Sequence, residues 1–312
     1  MTDGLVTVFG GGGFLGRYVV QELLKAGARV RVAERDPSDS FFLKPLGGLG
    51  QTQFVAADVR SAESAARAAR GSSAVVNLVG VLKGDFAGFH VAGARHAAQA
   101  ARLAGAGAFV QVSAIGADAT AESAYARSKG EGEAAAREAV SGATIIRPSI
   151  LFGPEDKFVN RFAAMARLMP AVPVIKGSAK FQPAWVADVA RAIAAAVLDP
   201  RVHGGQTYEL GGPQVISMAE LNRWILEATG RERAIVEVPD AAAALMAKLG
   251  GWLPGAPITW DQWLMLQKDN VVSPDAKGFD AFEISPTPLA AAASGWLVQY
   301  RKHGRFGGKA AA

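Results

Sequence analysis

Residues 5–16 read LVTVFGGGGFLG: a β-branched run, four consecutive glycines, and a fifth glycine at the start of a helix-like segment. Gly10, Gly13 and Gly16 fit G-x-x-G-x-x-G, and Gly11, Gly13 and Gly16 fit G-x-G-x-x-G. In a chain with 36 glycines among 312 residues the spacing alone is weak. Placement gives it weight. A strand before the run and an amphipathic helix after it are what a pyrophosphate turn needs, because glycines let backbone N–H groups approach phosphate at a helix N-terminus. A flexible surface loop would need neither flank. The stretch is therefore read as a dinucleotide-binding turn.

Outward from the turn, short apolar runs alternate with helical patterns. LVTVF, RVRVAE, TQFVAAD, AVVNLVG, FVQVSA and ATIIRP are strand-like, and segments such as FLGRYVVQELLKAG and ESAYARSKGEGEAAAREAV carry apolar or alanine positions at helical spacing. That alternation predicts an α/β fold, a doubly wound parallel sheet of Rossmann type. The domain reading is 1–150 for the nucleotide-binding part and 151–312 for a smaller, mostly helical C-terminal lobe, with a partial return of the chain to the sheet and a basic tail. In the later part, helices are expected with Asp188 as an N-cap, with Ser217 and Glu220 as a capping box closed by Gly230, and with Thr287 as N-cap ahead of Pro288.

The second strand ends in Glu34 and Arg35. An acidic residue there suits a ribose 2′-hydroxyl, while the guanidinium beside it suits the 2′-phosphate of NADP. Arg17, in the first helical turn, adds a second cation. NADP(H) is favoured over NAD(H). Of the four tyrosines only Tyr125 has lysine at i+4, so Tyr125 and Lys129 share a helix face. In carbonyl reduction a tyrosine donates the proton, and a nearby ammonium favours its ionised form. An ordinary surface pair is the alternative.

Taken together, VFGGGGFLGR, AADV, VVNLVG, VSAIGAD, YARSK and IIRPSILFGPEDKF make the chain resemble the short-chain dehydrogenase/reductase superfamily, of the extended or atypical kind, over about residues 5–230. The resemblance implies cofactor contacts at Gly10, Gly13, Phe14, Leu15, Gly16, Arg17 and Arg35. It implies Asp58 and Val59 beside the adenine, and Ser113, Tyr125, Lys129, Pro148, Ser149 and Ile150 toward the nicotinamide. For an active member, Tyr125, Lys129 and Ser113 form the catalytic set. FGPEDKFVNRFAAMARLMPAVPVI and FQPAWVADVARAIAAAVLDP are similar to the NADPH-binding accessory subunits of respiratory complex I and their bacterial relatives. That likeness implies a cofactor held for structure, with subunits of the peripheral arm as partners. Two departures from catalytic members point the same way: Ala114 follows Ser113 where a second hydroxyl is usual, and His90 stands where asparagine is common. The competing reading is an active NADP-dependent reductase, epimerase or dehydratase acting on a sugar-nucleotide or quinone-precursor carbonyl.

Composition removes other classes. The chain has no cysteine, which excludes disulfides and thiolate metal sites, and its four histidines have no metal-ligand spacing, so no metal is expected. The net charge is +5, but Arg301, Lys302, Arg305 and Lys309 follow the last acidic residue, Glu283, leaving only +1 for the rest. No broad basic face for nucleic acid follows. The basic tail reads either as a solvated end or as a contact for an anionic surface. The N-terminus lacks the features of a secretory signal, and the longest apolar stretch, residues 241–260, is interrupted by Lys248, glycines and prolines. The expected location is cytoplasmic, peripheral on the inner membrane of a bacterium. Trp252, Trp260 and Trp263 crowd the C-terminal third, either as a core helix or as a partner or membrane-interface surface.

Overall fold

The computed structural model describes residues 4–251, 253, 256, 258–302 and 304. The chain folds as two compact units. The first holds the residues up to Pro148 together with Val186–Leu210 and Ser273–Ser285; the second holds Ser149–Trp185, Gly211–Val272 and the residues from Pro286 on.

In the first unit the strands are β1 (Leu5–Phe9), β2 (Arg29–Glu34), β3 (Thr52–Ala56), β4 (Ala74–Asn77), β5 (Ala108–Val112) and β6 (Thr144–Pro148), with a seventh strand at Thr207–Leu210. They form one parallel sheet in the order β3-β2-β1-β4-β5-β6 and then Thr207–Leu210. This is the doubly wound Rossmann arrangement the alternating pattern predicts, and strand order reverses at β1, where the glycine turn lies. The helices α1 (Phe14–Lys25), α2 (Ala62–Ala69), α3 (Gly93–Leu103) and α4 (Ala124–Ala139) cover the sheet, joined by Val186–Leu198 packed on α1. β4 and β5 are buried along their whole length, as central strands of such a sheet must be. Alanine dominates the layer between α2, α3 and the sheet: Ala65, Ala68, Ala97, Ala98 and Ala101 bring the helices close.

In the sheet's last register, Arg147 on β6 lies opposite Glu209. Its guanidinium also meets Glu133 of α4 through two bonds of 2.8 and 2.7 Å, and Glu209 at 3.3 Å. Both carboxylates are buried. The second oxygen of Glu209 accepts from Ser273 N at 2.8 Å, which ties a late segment of the chain to the sheet.

The second unit is built on helices Val159–Leu168, Met218–Thr229, Asp240–Gly250, Trp260–Met265 and Leu289–Leu297, with a parallel pair of strands, Ala171–Ile175 and Ala234–Val238. Ser217 and Glu220 form the expected capping box, and Gly230 ends that helix at φ 60°. Two helix starts differ from the sequence reading. Asp188 is not an N-cap: the helix begins at Val186, and Asp188 lies buried within its first turn, paired with Arg191 at 2.6 Å. Pro288, not Thr287, is the N-cap of Leu289–Leu297, so the helix starts one residue later than read. Trp260 and Trp263 stack at 4.7 Å in a helix without a buried residue, while Trp252 and the tail residues Arg305 and Lys309 lie outside the described residues.

Candidate cofactor site

The turn after β1 is wound tightly. Gly10 takes φ +80°, its N–H bonds Ala33 O, and Gly13 N donates back to Gly10 O. A Cβ on Gly16 would stand 2.6 Å from the carbonyl carbon and oxygen of Gly11, so the helix starts against the loop at glycine distance. Gly13 is the N-cap of α1 and supplies no side-chain cap, and no acidic residue occupies the first turn. The amides of the first helical turn are thus without a side-chain cap. Phe14, Leu15 and Arg17 follow, half-buried in that first turn, with the Arg17 guanidinium 4.7 Å from the Phe42 ring.

Glu34 takes a position not legible in the sequence. Its carboxylate turns back and accepts Gly12 N–H at 2.7 Å, bracing the turn. Burial pushes its pKa up, opposed by that bond and by Arg35. The fully buried Ser40 hydroxyl lies against Gly12 and has no hydrogen-bond partner among the described residues. Arg35 is exposed, 5.6 Å from the Phe89 ring; Arg60 lies 4.6 Å from the same ring. Arg60 clasps Asp58 through Nε and Nη2, the latter at 2.6 Å, and that bond holds the Asp58 carboxyl below its usual range. Val59 is buried, and its carbonyl meets His96 Nδ1 at 2.9 Å.

The other end of the site comes from β5 and α4. Ser113, just past β5, anchors by its N–H to Ile146 O at 2.7 Å. Its hydroxyl is buried and unpartnered among the described residues. Tyr125 and Lys129 lie on one face of α4, with Lys129 Nζ 5.8 Å from the Tyr125 ring. Lys129 is buried, and burial lowers its pKa to about 8 against the opposing pull of Glu133. His90 sits in a π-helical turn, Ala87–Ala92, its ring edge-on to Tyr125 at 5.4 Å. His90 Nε2 accepts Val81 N–H at 3.0 Å, which fixes the proton on Nδ1; that nitrogen donates to Ser128 Oγ at 2.8 Å, and Ser128 donates to Tyr125 O at 2.9 Å. Burial, with Lys129 nearby, depresses His90 to about 3. The imidazole is a neutral latch between the β4 loop and α4, with both nitrogens engaged.

The first unit therefore gathers every sequence-read residue from Gly10 to Pro148, the last through its carbonyl, which accepts Ile115 N–H at 3.1 Å. Ser149 and Ile150 belong to the second unit. There Asn270 Oδ1 accepts Ser149 Oγ at 2.7 Å and Ile150 N at 3.1 Å. Ser40, Arg60 and Asn270 escaped the sequence reading. Arg60 alone carried a local signal, two residues after Asp58.

These residues fit a dinucleotide. At Gly12 and Gly16 the cradle has no room for a side chain, the α1 amides lack a side-chain cap, and two buried hydroxyls, Ser40 and Ser113, have no partner among the described residues. Gly10 to Arg17 would hold the pyrophosphate, Arg35 the adenosine end, and Ser113, Tyr125 and Lys129 the far end. A nicotinamide cofactor would supply hydride; Tyr125 would then stand as the proton donor, with Lys129 as its electrostatic partner. Among the described residues no group of three or more His, Asp or Glu is placed to hold a metal.

Known proteins give the same frame. The model of the NAD dependent epimerase/dehydratase family matches residues 6–211. A mitochondrial protein of Arabidopsis thaliana, NADH dehydrogenase (ubiquinone) 1 alpha subcomplex subunit 9, is 35% identical over 317 residues, 96% of this chain and 79% of its own. A ceramide reductase of Caulobacter vibrioides is 34% identical over 197 residues, 62% of this chain and 60% of its own. Among solved structures, an Escherichia coli NADPH-dependent quinone oxidoreductase complexed with NADPH superposes with a TM-score of 0.73 at 21% identity, over 93% of this chain and 99% of that one.

Proposed function

This chain belongs to the NAD-dependent epimerase/dehydratase family, and from that premise we propose that it is an NAD(P)H-binding accessory subunit of the respiratory NADH:quinone oxidoreductase, holding its cofactor as a structural part. One observation carries the reading. The likeness to the complex I subunit, at 35% identity, runs through 96% of the chain, well past residue 211 where the family model stops, so it extends into the C-terminal third. The neutral His90 latch supports it, because a ring with both nitrogens bonded to protein is a poor proton relay.

NADP(H) is the favoured cofactor, on the strength of Arg35 and Arg60 flanking Phe89 at the adenosine end. The partners are subunits of the peripheral arm, and the place is the cytoplasmic face of a bacterial inner membrane. Among the described residues no helix is long and apolar enough to cross a membrane. Helix Asp240–Gly250 leaves Leu245 58% and Leu249 66% exposed one turn apart, an apolar ridge suited to a membrane surface.

The test is co-migration. Gently solubilised membranes run on a native gel should carry the chain with a large complex, with NADPH identified by mass spectrometry and not consumed. A chain found entirely free, at its monomer mass, ends this reading. The second reading, an NADP-dependent reductase, epimerase or dehydratase, has its own support in the free Ser113 hydroxyl, the Tyr125–Lys129 pair and the likeness to a ceramide reductase. It requires NADPH turnover that Tyr125→Phe abolishes.

A further inference from the structure

In the second unit, an open concavity of about 710 Å³ is lined by Arg223, Arg231 and Arg233 together with Leu226, Ile235 and a single carboxylate, Glu232. Arg231 Nε donates to Tyr300 O at 2.7 Å, and Arg233 Nε donates to Ala166 O at 3.3 Å. These bonds orient the guanidiniums while neutralising none of them. Arg167 joins the cluster, 5.6 Å from the Tyr300 ring. Among the described residues none of these four arginines makes an ion pair. Burial, with the charges of Arg233 and Arg167, pulls Arg231 below the usual guanidinium value.

Exposed apolar residues follow the cluster's residues in sequence. Leu168, next to Arg167, is 76% exposed and Met169 follows it; Val236 is 51% exposed on the strand that pairs Ala234 with Ala171. An arginine cluster bordered by exposed aliphatic groups matches a lipid headgroup region, which presents phosphate above hydrocarbon. A free nucleotide would call for an enclosing pocket with an aromatic wall, and the lining has neither.

We propose that this concavity seats the phosphodiester headgroup of an anionic phospholipid, with Arg223, Arg231 and Arg233 on the phosphate oxygens and Leu168, Met169 and Val236 toward the acyl boundary. The inference deepens the membrane-peripheral reading by naming the lipid group. It is read on the isolated chain, so it stands or falls separately from co-migration with a complex.

The experiment is co-sedimentation of the full-length, NADPH-loaded protein with vesicles of phosphatidylcholine alone or with about a third phosphatidylglycerol. Binding should need the anionic lipid and should weaken at high salt. Arg231→Gln with Arg233→Gln should weaken it by about tenfold or more, since each basic side chain at a membrane surface is worth about a factor of five. Should that double variant lose its fold with the Tyr300 anchor, Arg223→Glu decides instead, because no hydrogen bond or ion pair of its guanidinium is found among the described residues. Equal binding by Arg223→Glu and wild type overturns the proposal. So does equal binding to both vesicle types. Protection by inorganic phosphate without any vesicle binding also overturns it, in favour of a free-phosphate site.

Discussion

At Gly16 a methyl group would stand 2.6 Å from the Gly11 carbonyl carbon and oxygen, both backbone atoms that cannot step aside. Helix propensity alone favours alanine by about 1 kcal/mol. Overpacking against backbone costs about 1–3 kcal/mol, so Gly16→Ala should lower the unfolding midpoint in urea and abolish nucleotide binding in calorimetry. Arg35→Ala should raise the Kd for NADPH by about tenfold or more, as loss of a charge-assisted bond implies, and leave that for NADH nearly unchanged. Lys129 yields a pH prediction. Its folded pKa of about 8 lies below the ordinary 10.5, so between those values the unfolded chain binds more protons than the folded one. Stability should rise with pH across that window by about 3 kcal/mol, and Lys129→Met should remove the rise in urea melts taken from pH 7 to 11. The glycines and the Tyr125–Lys129 pair were legible because their spacing repeats along a turn or a helix, and Arg35 because it follows Glu34 at the end of a strand. Ser40 and Asn270 were not, because each acquires meaning only from a residue far away in the chain.

Helix α4 shows how an element is specified by its neighbours as well as by its own pattern. Gly130 and Gly132 lie in its interior, where propensity disfavours glycine. A Cβ at Gly130 would stand 2.5 Å from the Asp118 carbonyl carbon, and one at Gly132 would press on the His90 carbonyl. Helix α4 therefore approaches both segments at backbone distance, and His90 reaches Ser128 within that gap. Gly132→Ala should cost about 1–3 kcal/mol in chemical denaturation, not gain the fraction expected of a solvent-facing helix. Element types were readable throughout the sheet, since β-branched runs and alanine-rich helices alternate without ambiguity. Starts were less so. Asp188 looked like a cap, yet Trp185 and Val186 extend the local order one turn upstream and leave it inside the helix.

At the scale of the molecule, bound NADPH should act as a stabiliser. At about a hundredfold over Kd it adds about 2.7 kcal/mol, visible as a raised thermal midpoint by calorimetry, if it binds only the native state. The sheet's last strand, Thr207–Leu210, reaches β6 only after the chain has passed through Ser149–Trp185. The sequence pattern suggested a return to the sheet but left its register open, because the pairing of Arg147 with Glu209 joins residues more than sixty apart.

That late return bears on biosynthesis. A ribosome emitting the first 150 residues has released a nucleotide-binding turn and six strands, but β6 still has an open edge. Glu133 and Arg147 are by then in place without Glu209, and Glu209 in turn awaits Ser273 N–H. The first unit thus gains its last segment only after Ser273–Ser285 has been made. Throughout that interval the nascent protein exposes a parallel edge that a chaperone has reason to cover.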